Sequence, residues 1–109
     1  MNETTNMKIE LDEFCPCCDY DTLEKAERLN YEVCLICFWE DEPLQFEEPT
    51  YKGGSNGVSL IEARKNFAIF GACKKEMIKN GRKPNENDKR KSLSATSTIF
   101  ITTKKSNIS

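Results

Sequence analysis

The sequence predicts a small α+β protein in which two cysteine-bearing hairpins pack against one main helix. Three observations carry this prediction. Two Cys-x2-Cys pairs, Cys15 with Cys18 and Cys34 with Cys37, are separated by fifteen residues. A glycine-rich loop then precedes a segment whose apolar residues recur at helical spacing. The last quarter of the chain is polar and poor in large side chains, so we expect it to form a flexible C-terminal tail.

Length and composition limit the size of the core. The chain has 109 residues, of which 38% are hydrophobic and 31% are charged. We expect a loose leader over residues 1–10, a cysteine-rich domain over residues 11–84 and a disordered tail over residues 85–109. A domain of this length buries little apolar surface, and such domains are often reinforced by a metal or by disulfides.

The first half of the domain is predicted to form the hairpins. Residues 11–14 lead into the first Cys-x2-Cys turn, where Pro16 fixes one backbone angle. The polar residues 21–30 suit a hairpin arm or a loop. Residues 31–33, Tyr-Glu-Val, alternate apolar and polar side chains, which favours a short strand that brings Cys34 to the second turn. An irregular connection with Pro43 and Pro49 should follow.

The second half of the domain is predicted to be helical. The glycine-rich residues 53–57 indicate a tight turn, and they lack the lysine that a phosphate-binding loop would place next. Ser59 stands three residues before Glu62, a pairing typical of a helix start. Gly71 should end this helix, and a shorter helical turn is expected over residues 72–79. One side of the main helix should face the cysteines; it carries Leu60, Ala63, Phe67 and Phe70.

The four paired cysteines are predicted to bind one metal ion. Two Cys-x2-Cys pairs at this separation form a known zinc pattern, and the chain contains no histidine that could replace a thiolate. We therefore predict one zinc ion held by Cys15, Cys18, Cys34 and Cys37, in a zinc-ribbon-like module. Iron is the alternative ion, since it accepts the same four sulfurs. Were the protein exported, its six cysteines would allow fifteen disulfide pairings instead.

The remaining distinctive side chains have structural and functional interpretations. Cys17 could replace Cys18 as a ligand, be reactive or face outward, and we favour an inert thiol. Cys73 is expected to be a small buried apolar group. Phe38 and Trp39 are expected to cover the metal module and to contact Phe67, with a partner-binding role for an exposed Trp39 as the alternative. The acidic run at residues 40–42 is expected to be a solvated face.

Composition also bears on function and location. The first residues lack a basic start and an apolar core, and no stretch approaches the length of a membrane span, so we expect a cytoplasmic protein with no membrane partner. Catalysis is not expected, because there is no histidine and the paired cysteines are committed to metal. Closed four-thiolate sites are structural, since they leave no position for water or substrate.

Charge is distributed unevenly along the chain. Residues 1–50 contain fourteen acidic and three basic side chains, whereas residues 74–91 contain eight basic and three acidic ones. Complementary faces of this kind favour a protein-interaction or regulatory module. A nucleic-acid-binding zinc ribbon is the alternative, but the acidic half would repel a polyanion.

Four ordered blocks carry a resemblance to a known family. They are FCPCC at 14–18, CLICFWED at 34–41, GGSNGVSL at 53–60, and NF at 66–67 with FGAC at 70–73. Over residues 14–84 the chain resembles the cysteine-rich CPCC family of small bacterial proteins. The resemblance implies a zinc-ribbon-like domain that binds zinc through the four paired cysteines and has no established reaction. Asp19 departs from the pattern, because such turns usually carry glycine at that position.

Overall fold

The computed structural model describes residues 11–91 as short helices joined by turns. The α-helices are α1, Pro43–Glu47, and α2, Leu60–Phe70, and two 3₁₀ helices span Lys25–Glu27 and Lys75–Met77. The core lies between the two cysteine turns and α2. Its fully buried members include Trp39, Ile36, Leu60 and the four paired cysteines. The predicted leader, residues 1–10, and residues 92–109 of the predicted tail lie outside the described residues.

The predicted α+β class, with its zinc-ribbon-like hairpin module, is wrong. Residues 11–91 contain no β-strand and no sheet; extended pairing there stops at two isolated bridges, Tyr20 with Arg90 and Val33 with Glu40. The physical reason is clearest at the predicted strand over residues 31–33, because Tyr31 has φ 65°, a left-handed conformation that a strand does not contain. The chain therefore reaches the second cysteine turn through bends.

Helix α2 confirms the predicted start and end. The Ser59 hydroxyl accepts a hydrogen bond from the Glu62 backbone N–H at 3.1 Å. Gly71 ends the helix at φ 80°, where its N–H donates to the Phe67 carbonyl, and glycine adopts this conformation without a Cβ penalty. Leu60 and Ala63, on the predicted face, are buried against the cysteines, but Phe70 is exposed.

The short helix predicted over residues 72–79 is only the 3₁₀ turn Lys75–Met77. Residues 72–83 instead form a strap across the second cysteine turn. The Cys73 N–H donates to the Cys37 carbonyl at 2.8 Å, and the Arg82 N–H donates to the Leu35 carbonyl at 3.2 Å. Gly81 is required in this strap, because a Cβ there would overlap the Ile36 carbonyl oxygen.

Helix α1 lies in the connection that was predicted to be irregular. The Glu42 carboxylate caps its N-terminus by accepting from the N–H groups of Leu44, at 2.6 Å, and Gln45, at 3.2 Å. Pro43 occupies the first turn, where its missing N–H costs no helical hydrogen bond. This cap buries Glu42, so the acidic run at residues 40–42 is not the solvated face that the sequence predicts.

A buried amide network holds the glycine-rich loop against α1. The Gln45 side chain is fully buried and donates to the carbonyls of Tyr51 and Val58, both at 2.8 Å. Its oxygen accepts from the Asn56 side chain at 2.9 Å, and Asn56 in turn bonds the backbone of Glu40. The loop is thus a structural element, as the tight-turn prediction required, and Gly57 occupies its left-handed position at φ 77°.

The last described residues return to the first cysteine turn. The Asp21 N–H donates to the Lys89 carbonyl at 2.9 Å, and the Lys91 N–H donates to the Asp19 carbonyl at 2.7 Å. The division into leader, domain and tail remains a prediction. In the part of the chain that the structure describes, no helix has both the length and the apolar character that crossing a membrane requires.

Candidate metal centre

The structure brings the four paired cysteines together in the core. All four are buried, and their Sγ atoms lie within 4.8 Å of one another. The two closest contacts each join one turn to the other: Cys15 Sγ lies 3.7 Å from Cys37 Sγ, and Cys18 Sγ lies 3.6 Å from Cys34 Sγ. The sulfurs therefore form a compact cluster, to which each turn contributes two.

Both cysteine turns have the same backbone construction. The residue after each second cysteine is left-handed, with φ 68° at Asp19 and at Phe38. The N–H of each donates back to the first cysteine carbonyl of its turn, at 2.8 Å to Cys15 and 2.9 Å to Cys34. The N–H of the first cysteine in each turn donates to the carbonyl of the residue two positions after the second cysteine, at 2.9 Å in both turns. One turn geometry is used twice, and it aims both pairs of thiols inward.

Hydrogen bonds to sulfur favour thiolates at this site. The Thr22 hydroxyl donates to Cys34 Sγ at 3.0 Å, and the Ile36 N–H donates to the same atom at 3.3 Å. Donation from the Cys15 thiol, and then from the other two paired thiols, lowers the pKa of Cys34 well below its usual range. Burial raises the pKa of Cys15 in contrast. Because thiols buried this close together cannot all ionise without a compensating charge, a cation is needed before all four sulfurs become thiolates.

The cluster fits a tetrahedral metal ion. Metal–sulfur bonds of about 2.3 Å in a tetrahedron place neighbouring sulfurs about 3.8 Å apart, close to the 3.6 and 3.7 Å contacts that join the two turns. Zinc and iron both accept four thiolates in this geometry. Four cysteines that could hold a metal ion are therefore present, and the shell they would form has no open position for substrate.

The two other cysteines lie beside the cluster but outside the four. Cys17 is buried, so the outward-facing interpretation of this thiol is wrong. Cys73 is also buried, as predicted, and burial raises its pKa to about 12. Trp39 is fully buried, which confirms its predicted place in the core and removes the partner-anchor alternative. Phe67, predicted near these aromatics, packs edge-on against Tyr20 with 6.5 Å between ring centroids.

A buried ion pair stabilises the segment between the cysteine turns, and sequence reasoning missed it. The Arg28 guanidinium donates to both oxygens of Asp41, at 2.7 and 3.2 Å, and lies 5.1 Å above the Phe46 ring. The same carboxylate accepts the Leu29 N–H. Arg28 Nη1 also donates to the Asp12 carbonyl at 3.0 Å, so this one side chain ties the approach of the first turn to the exit of the second. The two residues are thirteen positions apart, and no local sequence pattern indicates that they pair.

The left-handed backbone at Asp19 gives a testable prediction. Because left-handed conformations disfavour residues with a Cβ, Asp19→Gly should raise the free energy of unfolding by up to about 1 kcal/mol. Chemical denaturation of the metal-loaded protein measures this change. Lys65→Gly is the matched control: it lies inside α2 and should lower the free energy by about 1 kcal/mol. A loss of stability in both variants would contradict a strained turn at Asp19.

Comparison with known proteins gives one family. A family model described as cysteine-rich CPCC matches residues 13–88, which include all six cysteines and α2. The comparison with curated proteins gave no match.

Proposed function

The chain belongs to the cysteine-rich CPCC family, as its sequence predicted, and we propose that it is a small zinc-binding protein that acts by contacting a protein partner. The observation that carries this proposal is the buried cluster of four cysteine sulfurs drawn from two identical turns. In this proposal the metal supplies folding energy and takes no part in a reaction. We propose the bacterial cytoplasm as its location, because a reducing compartment keeps cysteines available for metal.

The structural role of the metal is supported by its surroundings. Cys15, Cys18, Cys34 and Cys37 have no solvent exposure, so a substrate would have no route to the ion without opening the core. A catalytic zinc normally keeps one position open, and four thiolates would fill all positions. We therefore propose a non-enzymatic protein. Zinc is favoured over iron because rubredoxin-like turns usually carry glycine and proline in places where this chain does not.

A protein partner is supported by apolar side chains on the surface. Among the described residues, eight large hydrophobic side chains are at least one-third exposed; they are Tyr31, Leu35, Leu44, Tyr51, Ile61, Ile69, Phe70 and Ile78. Exposed apolar side chains mark a protein-binding surface where they lie together, and Tyr31, Leu44 and Tyr51 line one groove. In the proposed non-enzymatic protein these side chains would serve recognition.

Several basic side chains that would serve nucleic-acid binding are engaged within the protein. Arg82 pairs with Asp88 at 2.8 Å, and Lys91 pairs with Asp12 at 3.1 Å. Lys74 donates to the Asn56 carbonyl at 2.8 Å. The two ion pairs reduce the positive charge that phosphates would meet, and the bond to Asn56 restricts the Lys74 side chain, so these contacts support the protein partner over the nucleic-acid alternative.

Reconstitution with a partner tests the proposed function. Tagged, zinc-loaded protein is recovered from cells that express it, and each co-purifying protein is made separately and titrated against it. We expect one saturable 1:1 complex with a purified protein, and no binding to duplex DNA or to RNA at low salt. Binding to nucleic acid that weakens steeply with salt would contradict the proposal, as would the absence of any reconstituted protein complex.

A further inference from the structure

A groove on the acidic half of the protein lies apart from the metal centre. It runs between α1 and the glycine-rich loop and has a volume of about 320 Å³. Its walls are formed by Tyr31, Glu42, Pro43, Leu44, Glu47, Tyr51, Gly53 and Gly54. Three of the eight exposed hydrophobic side chains, Tyr31, Leu44 and Tyr51, therefore line this one groove.

The two tyrosines are held in place by the backbone around them. The Tyr31 side chain is 50% exposed. Its backbone is left-handed, and its N–H donates to the Asp41 carbonyl at 3.0 Å. Tyr51 is fixed by the bond from Gln45 to its carbonyl. Its ring covers Gly53, where a Cβ would lie 2.5 Å from the tyrosine hydroxyl oxygen. The groove thus has two tyrosines whose backbones are held before any ligand arrives, and the Tyr51 ring also lies against Gly53.

The charge of the groove is negative. Glu42 and Glu47 line it, and no lysine or arginine is among its lining residues. The Glu42 carboxylate is buried and is already used by backbone N–H groups of α1 and of Ser55. Glu47 is exposed and has no such role among the contacts of the described residues, so its carboxylate is available to a ligand.

We propose that this groove binds an arginine side chain from a basic segment of the partner protein. The proposal rests on the proposed function, and it names the surface used and the chemistry recognised. A guanidinium is attracted to the faces of tyrosine rings and pairs with a carboxylate such as Glu47. Its aliphatic stem would contact Leu44 and Pro43. An acidic or purely apolar segment would leave Glu47 unpaired.

Titration with a minimal ligand tests the groove directly. Zinc-loaded, ¹⁵N-labelled protein is titrated at low salt with N-acetyl-arginine amide and with the uncharged analogue N-acetyl-citrulline amide. We expect saturable shifts of amide signals around Tyr31, Leu44 and Tyr51, with arginine binding about tenfold more tightly than citrulline. Glu47→Gln and Tyr51→Ala should each weaken arginine binding at least threefold. Ile69→Ala, which does not line the groove, should leave it unchanged.

Several results would overturn the inference. These are equal binding of citrulline, no effect of Glu47→Gln and Tyr51→Ala in variants that retain metal, or shifts that centre on other residues. Amide shifts that grow with protein concentration when no ligand is present, together with a dimer in sedimentation analysis, would overturn it by assigning the groove to a second copy of the chain.

The groove and the proposed function fail in different ways. A reconstituted partner that binds the Glu47→Gln and Tyr51→Ala variants as tightly as the unchanged protein would remove the groove but retain the function. Arginine binding in the groove without any reconstituted partner would remove the proposed function but retain the groove as an arginine site.

Discussion

Replacing Cys34 with serine should remove the bound metal and unfold the domain. Cys34 accepts hydrogen bonds from the Thr22 hydroxyl and the Ile36 N–H, so its sulfur is the most strongly supported thiolate of the four. Structural zinc in small domains contributes on the order of 10 kcal/mol or more, which is comparable to the whole stability of a typical domain, about 5–15 kcal/mol. A serine hydroxyl is a poor replacement for a thiolate ligand, so most of that contribution should be lost.

Metal content and folding are measured on protein purified under reducing, anaerobic conditions. We expect close to one zinc ion per chain before the substitution and less than about one-tenth of that in Cys34→Ser. Circular dichroism and denaturant titration should show that the variant has lost its cooperative unfolding transition. A Cys34→Ser protein that is free of metal yet equally stable would contradict a structural metal.

Cys17→Ala is the matched control for the ligand set. Cys17 lies between two predicted ligands and is buried, but its sulfur is not one of the four clustered atoms. The variant should therefore retain one metal ion and lose only the packing of one small side chain. If Cys17→Ala loses metal as completely as Cys34→Ser does, then the ligands are not Cys15, Cys18, Cys34 and Cys37.

Features with short-range signals could be predicted from the sequence. The spacing within each Cys-x2-Cys pair limits the turn between the cysteines, and the clustering of all four sulfurs follows once two such turns face each other. The start of α2 at Ser59 and its end at Gly71 were predicted because capping is a local interaction between a side chain and nearby backbone groups. In each case the residues that determine the structure lie within a few positions of one another.

The fold class could not be predicted because the residues that decide it give misleading local signals. Tyr31 and Val33 have high strand propensity, yet the left-handed backbone at Tyr31 ends any strand there. Glutamate is not among the preferred cap residues, so the start of α1 at Glu42 was not predicted. The Glu42 side chain is held by Ser55, thirteen positions away, which no local pattern reveals. The fold of this region is therefore determined by contacts between segments that are distant in the sequence, and not by the strands that local propensity predicts.

Breaking the Arg28–Asp41 ion pair should cost about 3–5 kcal/mol of unfolding free energy. Both side chains are almost completely buried, and the two hydrogen bonds between them are 2.7 and 3.2 Å long. Asp41→Ala would leave the guanidinium charge buried with only the Asp12 contacts and the Phe46 ring. It would also leave the Leu29 N–H without its acceptor. The cost comes mainly from the buried charge, since the part-exposed Asp12 carboxylate, 3.5 Å from Arg28 Nη1, would be its only remaining partner of opposite charge among the described residues.

Two comparisons isolate that cause. Denaturant unfolding is measured at a fixed free zinc concentration, so that metal binding contributes equally to every variant. The double variant Arg28→Met with Asp41→Leu should be more stable than Asp41→Ala alone, since apolar replacements of similar size leave no buried charge. Asp88→Asn, which breaks the exposed Arg82–Asp88 pair, should cost several-fold less because water solvates the remaining charge. Equal losses in Asp41→Ala and Asp88→Asn would show that burial of the Arg28–Asp41 pair does not determine its effect, and that the segment between the two cysteine turns is held by other contacts.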